Sequence, residues 1–559
     1  MGSRDKKKSK IEIIKEESDY LRGSLTEEVG NDLSHFSKVA IQLLKFHGTY
    51  QQDDRDLRQG RDRHWMFMIR GRLPGGKMTA DQYLAIDKIA DRYADGTLRV
   101  TTRQAFQLHG VIKENLKQTM QDINKALVTT LGACGDIVRN VMATPAPDID
   151  GRQAQVQAFA DELSDTLLPA SNAYHEVWLD GEKVYSGKEE IVENEPLYGD
   201  SYLPRKFKIG VALPGDNSID VYTQDIGLVA LFDDENNIEG FNVIIGGGMG
   251  MNHRKPDTFP RLGDHLGYVS KEQVVSAVKG IIEIQRDYGN RINRKRARMK
   301  YLVDEWGVEK FHDELVKRTG FALHPFRELP EFGLDLYLGW NRQSDGNWFL
   351  GLSIENGRIK NDENLQLKTG LREVVEQFGV GVRLTPNQNV LLTDIKEEDK
   401  AGISQILSSH NVLFGEDLSN LLKYSMACPA MPTCGLAITE SERVLPGVIR
   451  ELEEVIRELG LEEEKISIRM SGCPNGCSRP YVADIGFVGR SLNKYTIFVG
   501  GDPSGTRLNK EYKDLVSLED LVKEVRPLLE HYKEHRAEQE SFGNFWNRTG
   551  IGENGQILV

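Results

Sequence analysis

The feature that most restricts how this 559-residue chain can fold is a weak self-similarity between its two halves. Arg99-Val-Thr-Thr-Arg103-Gln104 is answered 284 positions later by Arg383-Leu-Thr-Pro-Asn387-Gln388, and Met142-Ala-Thr144-Pro-Ala146 by Met426-Ala-Cys428-Pro-Ala430 at the same offset. Further on, Asp225-Ile-Gly227 corresponds to Asp484-Ile-Gly486, and Gly246-Gly247, after the apolar run Phe241 to Ile245, to Gly500-Gly501 after Tyr495 to Val499. Chance can supply one such match, but four in chain order, two of them at one offset, mark a duplication. The period is far longer than that of a solenoid, so the expected architecture is a duplicated two-module unit. His64 to Arg72 reads as a strand, Ala80 to Tyr93 as a helix, Thr97 to Gln107 as an alternating strand and Lys113 to Leu127 as a helix. Trp348 to Leu418 reads the same way, and the fold class is α+β, internally duplicated about a pseudo-twofold axis.

The copies diverge where chemistry would sit. Thr144 stands where the second copy has Cys428, and Arg103 where it has Asn387. The first half keeps cations and the second keeps thiols, so a site at the interface would take metal ligands from one half and anion-binding groups from the other. Four of the five cysteines fall in two pairs, Cys428-Pro-Ala-Met-Pro-Thr-Cys434 and Cys473-Pro-Asn-Gly-Cys477, with 38 residues between them. Four soft thiolates on Pro- and Gly-bearing loops suit an iron–sulfur cluster. Zinc competes, although its knuckles usually draw cysteines from tighter turns, and unligated structural thiols are the third reading. Between the pairs, Val448, Ile449, Leu452, Val455, Ile456 and Leu459 have helical spacing, with Pro446 before and Gly460 after; Ile466, Ile468 and Met470 then alternate as a strand.

The first half carries basic residues in strand-like contexts. Arg70 and Arg72 precede Leu73-Pro-Gly-Gly76, Arg139 follows Cys134, and Arg205-Lys206-Phe207-Lys208 opens the run Ile209 to Leu213. Period 2 puts Lys206 and Lys208 on one face. A lone Arg or Lys is ordinarily a solvated surface charge. Here Arg99, Arg103 and Arg139 lie beside matched positions of the repeat, and the set suggests an anion-binding pocket, with guanidinium forks for oxyanions and lysines for point charge or protons. His47 reads as a core residue, while His109, at the end of the strand that carries Arg103, is divided between core and site.

Net charge is −14, from 71 basic and 85 acidic residues, which disfavours wholesale nucleic-acid binding. Arg286 to Lys300 holds seven basic residues in fifteen and reads as a solvated helical face or docking surface. No apolar run reaches membrane-spanning length, and the lysine-rich Met1 to Lys10 reads as a frayed tail. Cysteine usage suits a cytoplasmic protein, because Cys134 has no evident partner. Gly246-Gly-Gly-Met-Gly250 follows a strand but lacks the helix and later acid of a dinucleotide site.

The two cysteine motifs, Thr101-Thr-Arg103-Gln-Ala-Phe-Gln107, Asp136-Ile-Val-Arg139-Asn140, Leu203-Pro-Arg-Lys-Phe-Lys208 and Phe46-His-Gly-Thr-Tyr-Gln-Gln-Asp-Asp-Arg55 together resemble the hemoprotein (beta) subunits of assimilatory sulfite reductases, from about Ser18 to Ile551. The resemblance implies two ferredoxin-like half-domains and two larger α/β modules binding siroheme and a [4Fe–4S] cluster at their junction. It implies an N-terminal arm over 1–60, half-domains over 61–145 and 331–420, and larger modules over 146–330 and 421–559. Cys428, Cys434, Cys473 and Cys477 would ligate the cluster, and Cys477 would also be the axial ligand of the siroheme iron. Arg70, Arg139, Lys206 and Lys208 would surround the substrate oxyanion, with Arg99, Arg103, Arg205, Gln107, His109 and Asn475 lining the siroheme. The implied reaction is six-electron reduction of sulfite to sulfide.

Siroheme nitrite reductases share most of these motifs, but the pair Lys206 and Lys208 favours sulfite. A metal-stabilised nucleic-acid-binding protein is the non-enzymatic alternative. Electrons must come from a partner protein. Phe46 to Arg58 is most similar to subunits served by an NADPH-dependent flavoprotein, whereas Leu131-Gly-Ala-Cys-Gly-Asp136 is also similar to ferredoxin-dependent enzymes. The flavoprotein is the expected donor and ferredoxin the alternative.

Overall fold

A computed structural model describes residues 8–60, 62–171 and 195–550; most of the lysine-rich tail and Ile551 therefore lie outside the described residues. Four five-stranded sheets form two matched pairs, as the repeat requires. The first small sheet runs in spatial order Thr49–Asp53, Trp65–Arg70, Phe106–Val111, Leu98–Val100 and Arg358–Ile359. Its counterpart runs Gly339–Arg342, Trp348–Leu352, Val390–Ile395, Gly381–Leu384 and Lys77–Met78. The last strand of each is lent by the other half: Ile359 pairs with Leu98 and Arg358 with Arg99, while Met78 pairs with Val382 and Lys77 with Arg383. The exchange gives each small sheet a strand whose backbone groups would otherwise need another partner, and it ties the halves together. Neither exchanged strand is visible as a periodicity, because each is two residues long.

The larger sheets run Met142–Ala143, Ile209–Ala212, Ile226–Phe232, Ile238–Ile245, Asp264–Ser270 and, in the second half, Ser425–Ala427, Ile468–Ser471, Ile485–Ser491, Lys494–Val499, Lys510–Ser517. In both, the first three strands are parallel and the rest antiparallel. A parallel pair needs a long crossover, and the first crossover of each sheet carries a helix, Arg152–Thr166 or Leu445–Leu459, while the second carries only a 3-10 turn, Val221–Thr223 or Pro480–Val482. In the second helix Leu445, Val448, Ile449, Leu452, Val455 and Ile456 are buried, and Gly460 ends it at φ 65°, where a side chain would be strained. Helix Ala80–Tyr93 begins at a capping box in which Thr79 and Gln82 satisfy each other's backbone N–H groups. One continuous apolar core runs through both small sheets and the first larger module, and the second larger module has its own.

Two expectations are corrected. Thr97 to Gln107 is not one strand: Leu98–Val100 and Phe106–Val111 form a hairpin in which Arg99 faces Gln107. The tip closes through Thr101 N–H to the Ala105 carbonyl at 2.8 Å, with Gln104 at φ 50°. The second copy repeats it, with Thr385 N–H to the Asn389 carbonyl at 2.9 Å and Gln388 at φ 66°. Even the side chains correspond: the Gln104 amide donates to the Ala143 carbonyl at 2.9 Å and the Gln388 amide to the Ala427 carbonyl at 3.0 Å, partners separated by the same 284 positions. Arg286 to Lys300, for its part, is not a solvated helical face. Helix Val274–Tyr288 stops, a connection with a short 3-10 turn follows, and Arg298, at the N-cap of helix Met299–Thr319, and Lys300, in its first turn, are both buried. Carboxylates and carbonyls deeper in the fold draw these side chains inward.

Candidate functional site

The strand ends of the two larger sheets and the tip of the first hairpin converge on one cavity. Its lining includes Thr102, Arg103, Lys206, Lys208, Gln224, Met249, Gly250, Arg298, Asn475, Cys477 and Arg479, so both halves contribute. Lys206 and Lys208 do share a face, although the paired strand begins only at Ile209; between them Phe207 turns into the core, bridged to Val138. Burial, with repulsion from Arg205, brings Lys206 down to about 7. Burial, then the neighbouring Lys206 and Arg103, lowers Lys208 well below the usual lysine range. Arg103, on the hairpin tip, donates to the Gln224 side chain at 2.8 Å and to the Ile209 carbonyl at 3.2 Å. Its Nε is buried without a partner, and burial together with Arg139 draws its pKa down to about 9.

Arg139 is buried and donates to the Gly135 carbonyl at 2.9 Å and the Ala133 carbonyl at 3.2 Å; Tyr50 and Cys134 outweigh its burial and raise its pKa. Arg70 donates to the Cys134 sulfur at 3.2 Å and, with the Gln107 amide turned to present its oxygen, to Gln107, its Nε at 3.0 Å. That gives Cys134 a partner the sequence did not suggest. His109 lies 3.3 Å from the Gln107 amide. It is kept neutral by burial and by Arg358 and Arg99. Arg205 is about a third exposed and stands 3.9 Å from Asp136. Arg99 turns away from the cavity: it is buried, pairs with Glu442 and donates to the Ala427 carbonyl at 2.9 Å. Glu442 also takes Arg358 at 2.7 Å and 3.1 Å, and the two guanidiniums overcome the effect of burial and hold it at about 2.

The thiols form one neighbourhood, each of Cys428, Cys434 and Cys473 being raised by burial first and then by fellow cysteines that include Cys477. Cys473 is pushed up to about 12, and burial disfavours the thiolate of Cys428 and Cys434 in the same direction, so binding of a cationic centre is coupled to loss of their protons. Among the described residues no three His, Cys, Asp or Glu side chains gather around a single-ion site. The Gly472 N–H points at the Cys428 sulfur at 3.4 Å and the Asn475 amide at the Cys473 sulfur at 3.3 Å, the environment an iron–sulfur cluster's sulfurs require. Gly476 at φ 59° lets the loop turn, since a Cβ there would meet the Tyr481 ring at 2.7 Å. The four thiols suit a cluster, and the cations beside Cys477 match in charge the carboxylates of a polycarboxylate macrocycle.

Several contributors escaped the sequence reading. Arg298 is held by Asp225 through bonds of 3.1 and 2.7 Å, and Asp225 also accepts the Lys208 N–H at 2.9 Å, which fixes the lysine segment. Arg479 reaches the Thr102 and Pro386 carbonyls at 3.2 and 3.0 Å, bridging both hairpin tips. Lys300 donates to the Gly248 and Gly250 carbonyls at 3.0 and 2.7 Å, and Met251 N–H to the Pro474 carbonyl at 2.8 Å, so the glycine run braces the cysteine loop. Arg55 clasps the carbonyls of Pro432, Cys434 and Ala437. The repeat's Asp-Ile-Gly match was the one signal that pointed at Asp225.

Duplicated half-domains, a cysteine quartet and a cationic cavity between the halves define a redox protein of the siroheme and iron–sulfur class. Comparison with known proteins agrees. Residues 159–323 and 422–554 match the nitrite and sulphite reductase 4Fe-4S domain, and residues 58–126 and 341–410 match the nitrite/sulfite reductase ferredoxin-like half domain. A sulfite reductase [ferredoxin] of Synechococcus elongatus is 48% identical over 98% of this chain and 90% of that one. A sulfite reductase [NADPH] hemoprotein beta-component of Staphylococcus haemolyticus is 47% identical over 98% of this chain and 96% of that one. The solved structure of Mycobacterium tuberculosis NirA superposes with a TM-score of 0.78 at 21% identity, covering 95% of this chain and 96% of that one, and so shares the fold. The chain belongs to the nitrite and sulphite reductase family.

Proposed function

We propose that the cavity reduces sulfite to sulfide as the catalytic hemoprotein subunit of an assimilatory sulfite reductase, using siroheme and a [4Fe–4S] cluster. The observation that carries this reading is the meeting of Lys206, Lys208, Arg103 and Arg298 with Cys477 in one cavity built from both halves. When bound, the siroheme iron supplies the centre that holds the substrate, and the cluster supplies storage for single electrons. Cys428, Cys434, Cys473 and Cys477 would hold the cluster, with Cys477, whose side chain reaches the cavity, also facing the heme iron.

The chain's own residues then have distinct tasks. Lys206, Lys208, Arg70 and Arg139 bind and orient the oxyanion, a task for which closely spaced cations are suited. Lys206, brought to about 7, exchanges protons near neutrality and is the donor to departing oxygens. Arg103, Arg205, Gln107, His109 and Asn475 line the cofactor. Arg99 is assigned to holding the Cys428 loop through Glu442, because its guanidinium is already committed.

The electrons come from a separate protein, since no nucleotide-binding loop–helix unit follows Gly246 to Gly250. The relatives include a ferredoxin type and an NADPH type. We assign an NADPH-dependent flavoprotein, on the similarity of Phe46 to Arg58. The expected compartment is the cytoplasm; no described helix is long and apolar enough to cross a membrane. The test is a visible spectrum followed by reduced methyl viologen and sulfite. Heme-like bands, dye oxidation and sulfide as product support the reading, and a protein without such bands despite supported siroheme synthesis overturns it. Nitrite assayed in parallel ranks the two anions.

A further inference from the structure

A cavity of about 630 Å³ lies in the second half and shares no lining residue with the cavity beside Cys477. The duplication accounts for its position. The offset of 284 that relates Met142 to Met426 carries Arg139 to Lys423, and the offset that relates Asp225 to Asp484 carries Lys206 to Lys465. Strand pairing agrees with both: Met142 lies opposite Gly210, and Met426 opposite Arg469, in the parallel pairs that open the two larger sheets. Lys423 and Lys465, the counterparts of two first-half cations, both line this cavity.

The rest of the lining has changed character. Trp340, Phe414 and Tyr424 are half-buried there beside the buried Leu336. Tyr337, also buried, commits its hydroxyl to Asp216 and is left with its ring for the cavity. Neither lysine forms an ion pair among the described residues, while Asp335, Glu416 and Asp417 stand exposed along the same wall. Two further bonds hold the parts in place. The Asn420 amide donates to the Glu462 and Glu463 carbonyls at 3.2 and 3.1 Å, tying the turn that ends in Lys423 to the one before Lys465. The Asn341 amide donates to the Gly339 carbonyl at 3.0 Å, on the strand that carries Trp340. A wall fixed in advance spares a ligand the cost of ordering it.

We infer that this cavity binds a mononucleotide, with its phosphate on Lys423 and Lys465 and its base against the aromatic side chains. The carboxylates accept from the ribose hydroxyls or a base amino group. Two cations beside three carboxylates leave no surplus of positive charge, so a bare inorganic oxyanion gains little. Two unpaired ammonium groups equally disfavour a wholly apolar ligand. A nucleotide uses all three chemistries of the wall, and the volume lies within the range of about 300–1,000 Å³ usual for small-molecule sites. Sulfite reduction plays no part in the inference, and its test reads binding instead of turnover.

The test is calorimetric titration of the cofactor-loaded protein with AMP, adenosine and inorganic phosphate in turn. AMP is expected to bind at one site below 1 mM, with adenosine and phosphate each at least tenfold weaker. Lys465→Glu, at an exposed position, and Lys423→Ala should each weaken AMP about tenfold, on the order of one charge-assisted hydrogen bond, with the visible spectrum retained. Lys396→Glu, a charge change at an exposed lysine outside the cavity, should leave AMP binding within twofold. No saturable binding of AMP up to 5 mM overturns the inference. Phosphate binding as tightly as AMP overturns it too, because the aromatic wall would then contribute nothing. AMP affinity within twofold of wild type in both Lys465→Glu and Lys423→Ala, or an equal loss in Lys396→Glu, places the nucleotide elsewhere and likewise overturns it.

Discussion

Replacing Asp136 with asparagine should loosen the N-terminal helix and the segment that carries the lysines in a single step. Asp136 is 3% exposed and is the shared partner of Arg294, Lys15 and Arg205, at 2.6, 3.6 and 3.9 Å. Against burial, Lys15 and Arg294 hold its carboxyl well below the usual carboxylate range. Its backbone carbonyl accepts the Leu203 N–H at 3.0 Å, and Lys15 donates to the Leu203 carbonyl at 2.7 Å, so helix Lys10–Glu16 and the approach to Lys206 hang on one cluster. Removing one member of a buried ion pair costs about 3–5 kcal/mol. The lower end applies here: Arg294 and Arg205 are 26% and 31% exposed and regain water, Lys15 keeps Glu12 at 2.7 Å, and asparagine still accepts one bond. About 3 kcal/mol corresponds to about a hundredfold change in an opening equilibrium. Hydrogen exchange should therefore show protection across 10–16 and 203–208 falling about a hundredfold, with KM for sulfite raised and the visible spectrum retained. Protection within threefold of wild type, together with an unchanged KM, would refute the reasoning.

Four further outcomes are expected. Glu442→Gln leaves Arg99 and Arg358 facing each other without a carboxylate and should cost about 3 kcal/mol, read as a lowered urea midpoint and faster cluster bleaching. Cys477→Ser should lose the cluster and perturb the heme bands together; full activity would remove the bridging role. Lys206→Ala and Arg139→Ala should each weaken sulfite turnover at least tenfold, a loss on the order of one charge-assisted hydrogen bond, with cofactor absorbance retained. His47, fully buried and lowered by burial to about 4 from 6.5, must stay neutral in the fold while the unfolded chain takes up a proton. Its stabilising contribution is complete above 6.5 and falls as pH drops toward 4. Denaturant titration between pH 7.5 and 5.5 should show a loss of about 1 kcal/mol that His47→Gln removes.

What the sequence disclosed was local or repeated. Helix Ala80–Tyr93 matches its periodicity end to end, and helix Leu445–Leu459 ends at Gly460, because an apolar stripe with a defined start or stop leaves few alternatives. The duplication foretold equal strand orders in both pairs of sheets. The hairpin at Thr101 to Ala105 was missed because its polar turn continues the alternation of the flanking strands, and only Gln104 at φ 50° reveals it. Arg298, Lys300 and Arg479 were missed for a different reason. A basic side chain's depth is decided by which carboxylate or carbonyl the tertiary fold brings beneath it, and that partner lies far along the chain, as Asp225 does for Arg298. Composition near Arg286 to Lys300 reports charge but not what faces it.

The paired hairpins show how duplication made an asymmetric site. Gln104 and Gln388 keep the same bond to the same strand in each half, so both tips are set at equal depth over the interface. Beside those fixed glutamines stand Arg103 and Asn387, and the two residues meet different needs. Arg103 lines the cavity and hydrogen-bonds the first-half strands, whereas Asn387 accepts from Arg479 at 3.3 Å, a guanidinium that approaches from the cysteine-bearing module. A second arginine at 387 would confront Arg479 in a buried space already holding Arg469, with Asp220 as the shared counter-charge. Asn387→Arg should therefore destabilise the junction through unpaired buried charge. Arg103→Asn, the reverse exchange, should fold and lose anion affinity. That difference follows from the guanidiniums already buried on the cysteine-bearing side, where Arg479 and Arg469 share Asp220 and leave no counter-charge for a further cation.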